Sequence, residues 1–306
     1  MRVGVRPSLA KFEGPAGALR DFVGAAEDAD LDHFCVGDHV SFRNGQGYDG
    51  LIQATALTML STLPVHTSVY LLPLRHPVAV ARQLSSLALL APGRLVFGVG
   101  MGGDDPHELE VCGVDPRTRG RRMDECLTIL RGLLAGDTVT LDGTVVSVHD
   151  ARVVPTPPVP IPIVVGGRSD AALRRAGLLG DGWLGVFVSP DRWADARARV
   201  EGVAGEAGRT VDTWHHGLAV WCGFGESIGG AASILGPAME TLYQRPFDDF
   251  ARYSPHGTPD DVAAALLPYA TAGCATFNLI PVAADDATAI AGCARVRSRL
   301  REALTE

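Results

Sequence analysis

Residues 95–103 read Leu95-Val96-Phe97-Gly98-Val99-Gly100-Met101-Gly102-Gly103, and how this stretch folds decides how the chain folds. It follows a tight turn, Pro92-Gly93-Arg94. Leu95, Val96, Phe97 and Val99 form an apolar run rich in β-branched and aromatic residues, the pattern of a strand buried on both faces of a parallel sheet. Glycines at the carboxyl end of such a strand let the backbone turn sharply and let a flat or anionic ligand come close. Gly98, Gly100 and Gly103 also spell G-x-G-x-x-G, the dinucleotide fingerprint. That motif requires a helix at once and an acidic residue on a following strand about twenty residues later. Here Asp104-Asp105-Pro106 and a polar loop to Arg119 intervene, and the twentieth position falls inside a helical pattern. The dinucleotide reading is rejected.

Outward from this strand the chain alternates. Upstream, strands are expected at Arg2–Arg6, His33–Gly37 and His66–Leu71, with helices at Ala16–Asp30, Tyr48–Thr62 and Pro77–Leu90. A loop with Arg43, Asn44 and Gly45 precedes the second helix. Downstream, Met123, Cys126, Leu127, Leu130 and Leu134 share one face of a fourth helix, Arg119–Leu134. A hairpin follows, Val139–Leu141 and Val145–Val148 about Asp142-Gly143, and then a stiff connector, Pro155–Pro160. Strands five to eight are expected at Ile161–Val165, Gly182–Val186, Trp214–Trp221 and Ala275–Ile280. Helices at Asp170–Gly180, Pro190–Gly205 and Ala284–Ala303 accompany them. Eight strands alternating with helices over this length predict a single α/β domain, residues 1–306, folded as a (β/α)8 TIM barrel. Its insertions are the hairpin after helix four and the long segment Gly223–Gly257 between strands seven and eight.

Composition narrows the function. A net charge of −8 argues against a nucleic-acid or anionic-membrane partner. No apolar run reaches the roughly 18–20 residues that span a bilayer, and the N-terminus lacks a signal-peptide core. Cys35, Cys112, Cys126, Cys222, Cys274 and Cys293 include no C-x-x-C pair, the pattern of buried, reduced thiols in a cytoplasmic protein.

The carboxyl ends of barrel strands form the active face. They collect Asp38-His39, Ser68-Val69, Gly100–Asp104, Gly166-Gly167-Arg168-Ser169, Trp183, Trp221 and Asn278. Asp38-His39 joins an acceptor to an imidazole that can hydrogen-bond a cofactor or move a proton near neutral pH. In Gly166–Ser169, glycine amides, a helix start that Ser169 can cap and the Arg168 fork coincide, which suits an anion such as phosphate. Arg117, Arg119, Arg121 and Arg122 crowd the start of helix four, against its dipole, and are expected to find Asp124 or Glu125. Asp104, Asp105, His107, Glu108 and Glu110 fit no metal spacing and read as an acidic, solvated loop. His215-His216, adjacent in strand seven, should point to opposite faces, which argues against a two-histidine metal site. No metal site is expected. The Gly223–Gly257 segment reads equally as a lid, a substrate wall, a packed insertion or an oligomer contact. No hydrolase, P-loop or zinc-protease motif appears, so a bound organic cofactor is expected to carry the chemistry.

Together, VGDHV at strand two, TSVYLLPLRHPVAVARQLSSLALLAPGRLVFGVGMGG, RGRRMDECLTILRGLLAGDTVTLDG, IPIVVGGRSDAALRRAGLLGDGWLG and HGTPDDVAAAL resemble the bacterial luciferase-like flavin oxidoreductases, in order and spacing, over nearly the whole chain. The resemblance implies a homodimeric barrel that uses reduced FMN with oxygen, or coenzyme F420 for hydride transfer. It makes Asp38 and His39 the cofactor-facing pair and His39 the catalytic residue. Ser68-Val69 becomes a non-proline cis peptide behind the ring. Met101-Gly102 becomes backbone near the ring, and Gly166 and Gly167, with Arg168 and Ser169, the phosphate cradle. One departure stands out. Sugar-phosphate dehydrogenases of the family place a catalytic glutamate just after the strand-four glycines, where this chain has Gly103. The expected function is hydride transfer between F420 and a small organic substrate. An FMN monooxygenase and a barrel that binds without turnover are the alternatives.

Overall fold

The computed structural model describes residues 1–305 apart from Asn44 and Asp104, so what the sequence suggests for Asn44 in its loop and for Asp104 beyond Gly103 lies outside the described residues. Eight strands carry the architecture: β1 (Arg2–Val5), β2 (His33–Val36), β3 (Val65–Thr67), β4 (Leu95–Gly100), β5 (Ile163–Gly166), β6 (Gly182–Val186), β7 (Gly217–Phe224) and β8 (Thr276–Val282). Each is followed by a helix: α1 (Ala16–Asp28), α2 (Gly50–Leu60), α3 (Pro77–Leu90), α4 (Arg119–Ala135), α5 (Asp170–Leu179), α6 (Pro190–Glu206), α7 (Pro259–Thr271) and α8 (Asp286–Ala303). In the sheet β1 to β6 neighbour one another in sequence order, β6 pairs with β7, β7 with β8, and β8 with β1. That circuit is a closed parallel (β/α)8 barrel, the fold class expected.

By packing, the chain forms two compact units. One is Met1–Cys35 with Leu184–Gly202 and His215–Glu306; the other is Val36–Trp183 with Val203–Trp214. The described cysteines are all free, and no helix of the described residues is long and apolar enough to cross a membrane.

Local chemistry sets the element ends. Asp49 caps α2 by accepting from the N–H groups of Leu51 and Ile52. Thr258 and Asp261 close a capping box at α7, as Thr-Pro-Asp-Asp spells. Gly136 ends α4 in the left-handed conformation, φ 94°.

The structure differs from expectation in three places. The third strand is broken: β3 stops at Thr67 and pairing resumes in a short strand, Tyr70–Leu71. The seventh begins at Gly217 rather than Trp214, so His215 and His216 precede it and are not strand neighbours. The His216 imidazole instead packs 3.5 Å from Glu201 of α6, and its burial lowers its pKa to about 4. The hairpin pairs Val139–Asp142 with Ser147–Ala151 around a wider tip, because the Glu125 carboxylate accepts from the N–H groups of Thr144, Val145 and Val146. Glu125 is thereby unavailable to the neighbouring arginines.

The Gly223–Gly257 segment is a folded insertion in the first unit. It forms a helix, Ile228–Tyr243, two short 3-10 turns and a strand, His256–Gly257, parallel to β7. Buried Leu235, Met239 and Phe250 pack with Tyr243 of the same segment and with Phe187 and Trp221 outside it.

A candidate cofactor site at the ends of strands two to five

The glycines of the opening stretch serve the chain's own packing first. A Cβ on Gly98 would collide with the Thr67 carbonyl, and one on Gly100 with the Val69 side chain. One on Gly166 would press on Val69 from β5. The reason is the segment after β3. The Ser68–Val69 peptide is cis, as the resemblance implies, and Val69 is folded over the β4 and β5 glycines. Ser68 N–H donates to the Val36 carbonyl (2.7 Å), and the Thr67 hydroxyl donates to the Gly98 carbonyl (2.7 Å). The Ser68 hydroxyl is buried and has no hydrogen-bond partner among the described residues. A buried hydroxyl in that state asks for a ligand group.

Asp38, just beyond β2, is fully used within the protein. One carboxylate oxygen accepts from Gly50 N–H and the other from Leu71 N–H, both at 2.8 Å. Arg75 grips both oxygens and also reaches Asp49 (3.0 Å), while its guanidinium lies 4.4 Å over the Tyr70 ring. Burial pushes the Asp38 carboxyl up, against the pull of Arg75 and the two amides. Burial also disfavours the Arg75 cation, but its bonds to Asp38 outweigh this and raise its pKa. Asp38 therefore ties the start of α2 to the segment that carries Ser68 and Val69. Its part is positioning.

That lock presents His39. The imidazole stacks on Phe42, with centroids 4.2 Å apart, and its Nδ1 lies 3.1 Å from Glu108 Oε2. The Glu108 carboxylate, nearly inaccessible, also accepts from Val40 N–H (2.7 Å) and Ser41 N–H (3.2 Å). Burial would raise its pKa, yet the His39 bond and charge and the two amides hold it below the ordinary value. The expected solvated acidic loop is thus corrected. Glu108 sits on a short helix, Pro106–Val111, capped by Asp105, whose carboxylate accepts from His107 and Arg43 N–H. The sequence carried a signal: Asp-Pro before His-Glu-Leu marks a helix start, which turns Glu108 and Leu109 inward.

The turn expected to cradle an anion, Gly166–Ser169, joins β5 to α5. Gly167 adopts φ +125°, and a Cβ there would press on the Ala172 side chain. Its carbonyl accepts from Trp183 Nε1 (2.7 Å), which fixes the turn. Ser169 caps α5 through Ala172 N–H (3.2 Å), leaving other first-turn N–H groups and the positive helix end for an anion. Arg168 and Ser169 are exposed. Met101 is partly buried, and its sulfur receives Arg175 Nη1 (3.6 Å); Arg175 is itself anchored on Asp124 and the Gly120 carbonyl. Gly102 follows at φ 68°.

The arginines at the start of α4 find partners other than those expected. Arg117 pairs with Asp115, and Arg119 and Arg122 donate to the carbonyls of Pro116 and Pro73. Asp124 serves Arg175. No cluster of described residues could hold a metal ion.

With the fold and these residues in view, the chain can be compared with known proteins. The profile of the luciferase-like monooxygenases matches residues 2–242. The chain belongs to the luciferase-like monooxygenase family. An uncharacterised protein of Mycobacterium tuberculosis H37Rv is 39% identical over 171 residues, 55% of this chain and 59% of that one. An F420-dependent glucose-6-phosphate dehydrogenase of Beutenbergia cavernae is 33% identical over 193 residues, 60% and 56%. The matches thus span less than two thirds of these relatives. The fold is that of an F420-dependent secondary alcohol dehydrogenase solved with an F420–acetone adduct (TM-score 0.80, 20% identity, 98% and 100% covered). It is equally that of monooxygenase RslO1 from Streptomyces bottropensis (TM-score 0.80, 21% identity, both chains fully covered).

Proposed function

We propose that this chain is an F420-dependent oxidoreductase acting on a small organic substrate, with an FMN-dependent monooxygenase as the alternative. When bound, the deazaflavin supplies hydride transfer, whereas FMN with O2 supplies oxygen transfer. Gly166, Gly167, Arg168 and Ser169 hold the phosphate. Ser68, Val69, Met101 and Gly102 line the ring, and Asp38 with Arg75 fixes the frame. His39 exchanges a proton with the substrate through Nε2.

The observation that carries this reading is the His39–Glu108 pair. A carboxylate on Nδ1 orients the ring and fixes which nitrogen is turned to the substrate, which is what a proton-exchanging histidine needs. Gly103 removes the glutamate found in the family's sugar-phosphate dehydrogenases, and Glu108 brings a different carboxylate to His39. This favours turnover over binding alone. The F420-dependent names of the relatives support F420 over FMN. The test is equilibrium binding of F420 and of FMN to the purified protein, with His39→Ala and Gly167→Asp as variants.

A further inference from the structure

The first unit holds an arginine with no counter-charge among the described residues. Arg6 follows β1 and is partly buried; among the described residues its guanidinium makes no ion pair or hydrogen bond. Its backbone N–H donates to the Leu279 carbonyl (2.9 Å), which keeps the β1 register going: Val5 opposite Leu279, Gly4 opposite Asn278. On the far side of β8, Trp221 of β7 stands opposite Ile280 and Val220 opposite Leu279. Residues level across parallel strands share a face, and successive residues alternate. Val5, Leu279 and Val220 are fully buried on one face. Arg6, Ile280 and Trp221, all partly exposed, share the other.

Below them on that same face lie Gly4, Asn278 and Ala219. A Cβ on Gly4 would collide with the His33 ring, and that ring bonds Asn278 Oδ1 at 2.7 Å. This floor is uncharged, since burial lowers the His33 pKa to about 4. Beside the rim stands an aromatic wall. Trp221 Nε1 donates to Tyr243 Oη (3.0 Å), and the Tyr243 ring packs on Phe250 and Phe187 at 4.9 and 5.7 Å. Burial disfavours the Arg6 cation, and the groups that help it are only the Tyr243 and Cys35 side chains. A guanidinium stays protonated in proteins, so its buried charge calls for an anion.

We infer that Arg6 and the Trp221–Tyr243 wall form a site for the carboxylate of an apolar or aromatic acid. The planar fork matches a carboxylate with two parallel N–H bonds, and the rings take its apolar body. A phosphate would draw on several cations or a helix N-terminus, and here one guanidinium faces aromatic carbon. This binding does not rest on the oxidoreductase reading.

The test uses the purified protein without cofactor. Benzoate, benzamide and inorganic phosphate are titrated while tryptophan fluorescence is followed, with Trp221→Phe to assign the signal. Saturable quenching by benzoate, at least tenfold tighter than benzamide, is expected. Arg6→Gln should weaken benzoate by tenfold or more and leave benzamide unchanged, with Arg6→Lys in between. Equal affinity for benzoate and benzamide in the wild type overturns the site, even if Arg6→Gln does not fold. So does an Arg6→Gln variant that binds benzoate normally. Phosphate competing as well as benzoate overturns the carboxylate assignment. F420 binding without benzoate selectivity would defeat this inference alone; benzoate selectivity without F420 or FMN binding would defeat only the oxidoreductase reading.

Discussion

His39 and Glu108, 69 residues apart in sequence, meet with Nδ1 3.1 Å from Oε2, and two backbone amides share that carboxylate. An acceptor at Nδ1 fixes the neutral ring with its proton there and leaves Nε2 as the acceptor. We expect 15N spectra of the protein to show His39 in the Nδ1–H tautomer, and Glu108→Gln to produce a mixture. The same mixture in wild type would remove Glu108 from this role. Because Glu108 sits below its ordinary carboxyl value, its contribution to stability is present above that value and fades as pH falls through the folded one. Glu108→Ala takes a charged acceptor away from the Val40 and Ser41 N–H groups and should cost about 1–3 kcal/mol in denaturant unfolding at pH 7.

The Asp38–Arg75 pair predicts a larger, partly reversible loss. Arg75→Met abandons a buried carboxylate, with an expected cost of about 3–5 kcal/mol. Adding Asp38→Asn should recover part of it, as coupled groups in one network do. Strictly additive losses would argue that the two act independently.

His33 makes stability pH-dependent. Its folded pKa, about 4, lies below the ordinary 6.5, so the unfolded chain binds the extra proton between those values. Stability should therefore fall as pH drops from 6.5 toward 4, by about 3 kcal/mol from this group alone. His33→Gln should flatten that slope whatever it does to stability at pH 7. An unchanged slope would place the dependence elsewhere, with His216 the next group to test.

Gly98→Ala drives a methyl into the Thr67 carbonyl, and overpacking of this kind costs about 1–3 kcal/mol. Gly24→Ala, a helix position with open space around it, should instead stabilise by up to about 1 kcal/mol. Gly100→Ala collides with the Val69 side chain, so Val69→Ala should rescue it. Absence of rescue would mean that Val69 does not rest on Gly100.

Much of this was legible in the sequence, for physical reasons. The two-sided apolar run of β4 and the strand–helix alternation gave the barrel, and Gly166 to Ser169 carried its turn geometry in residue types alone. The role of Gly98 and Gly100 was half legible. Their type announced a close approach, but the approaching group is Val69, brought by a break in β3 that no periodicity encodes. Glu108 looked like one more acid in a polar loop, since its burial depends on where the Pro106 helix lands. The start of β7 is hidden in the sequence because Trp214 is apolar and His216 buried, as strand residues are, yet the strand begins only at Gly217 and His216 lies against Glu201 of α6. Arg6 shows the opposite case: an ordinary strand-end arginine in sequence, which the folded chain leaves without a counter-charge among the described residues.

The central claim is tested most directly by titrating the purified protein with F420 and with FMN, following cofactor fluorescence, alongside Gly167→Asp. Saturable F420 binding, at least tenfold tighter than FMN and lost in Gly167→Asp, is the predicted result. Tighter FMN binding would contradict F420 as the cofactor, and binding of neither would contradict the oxidoreductase reading itself.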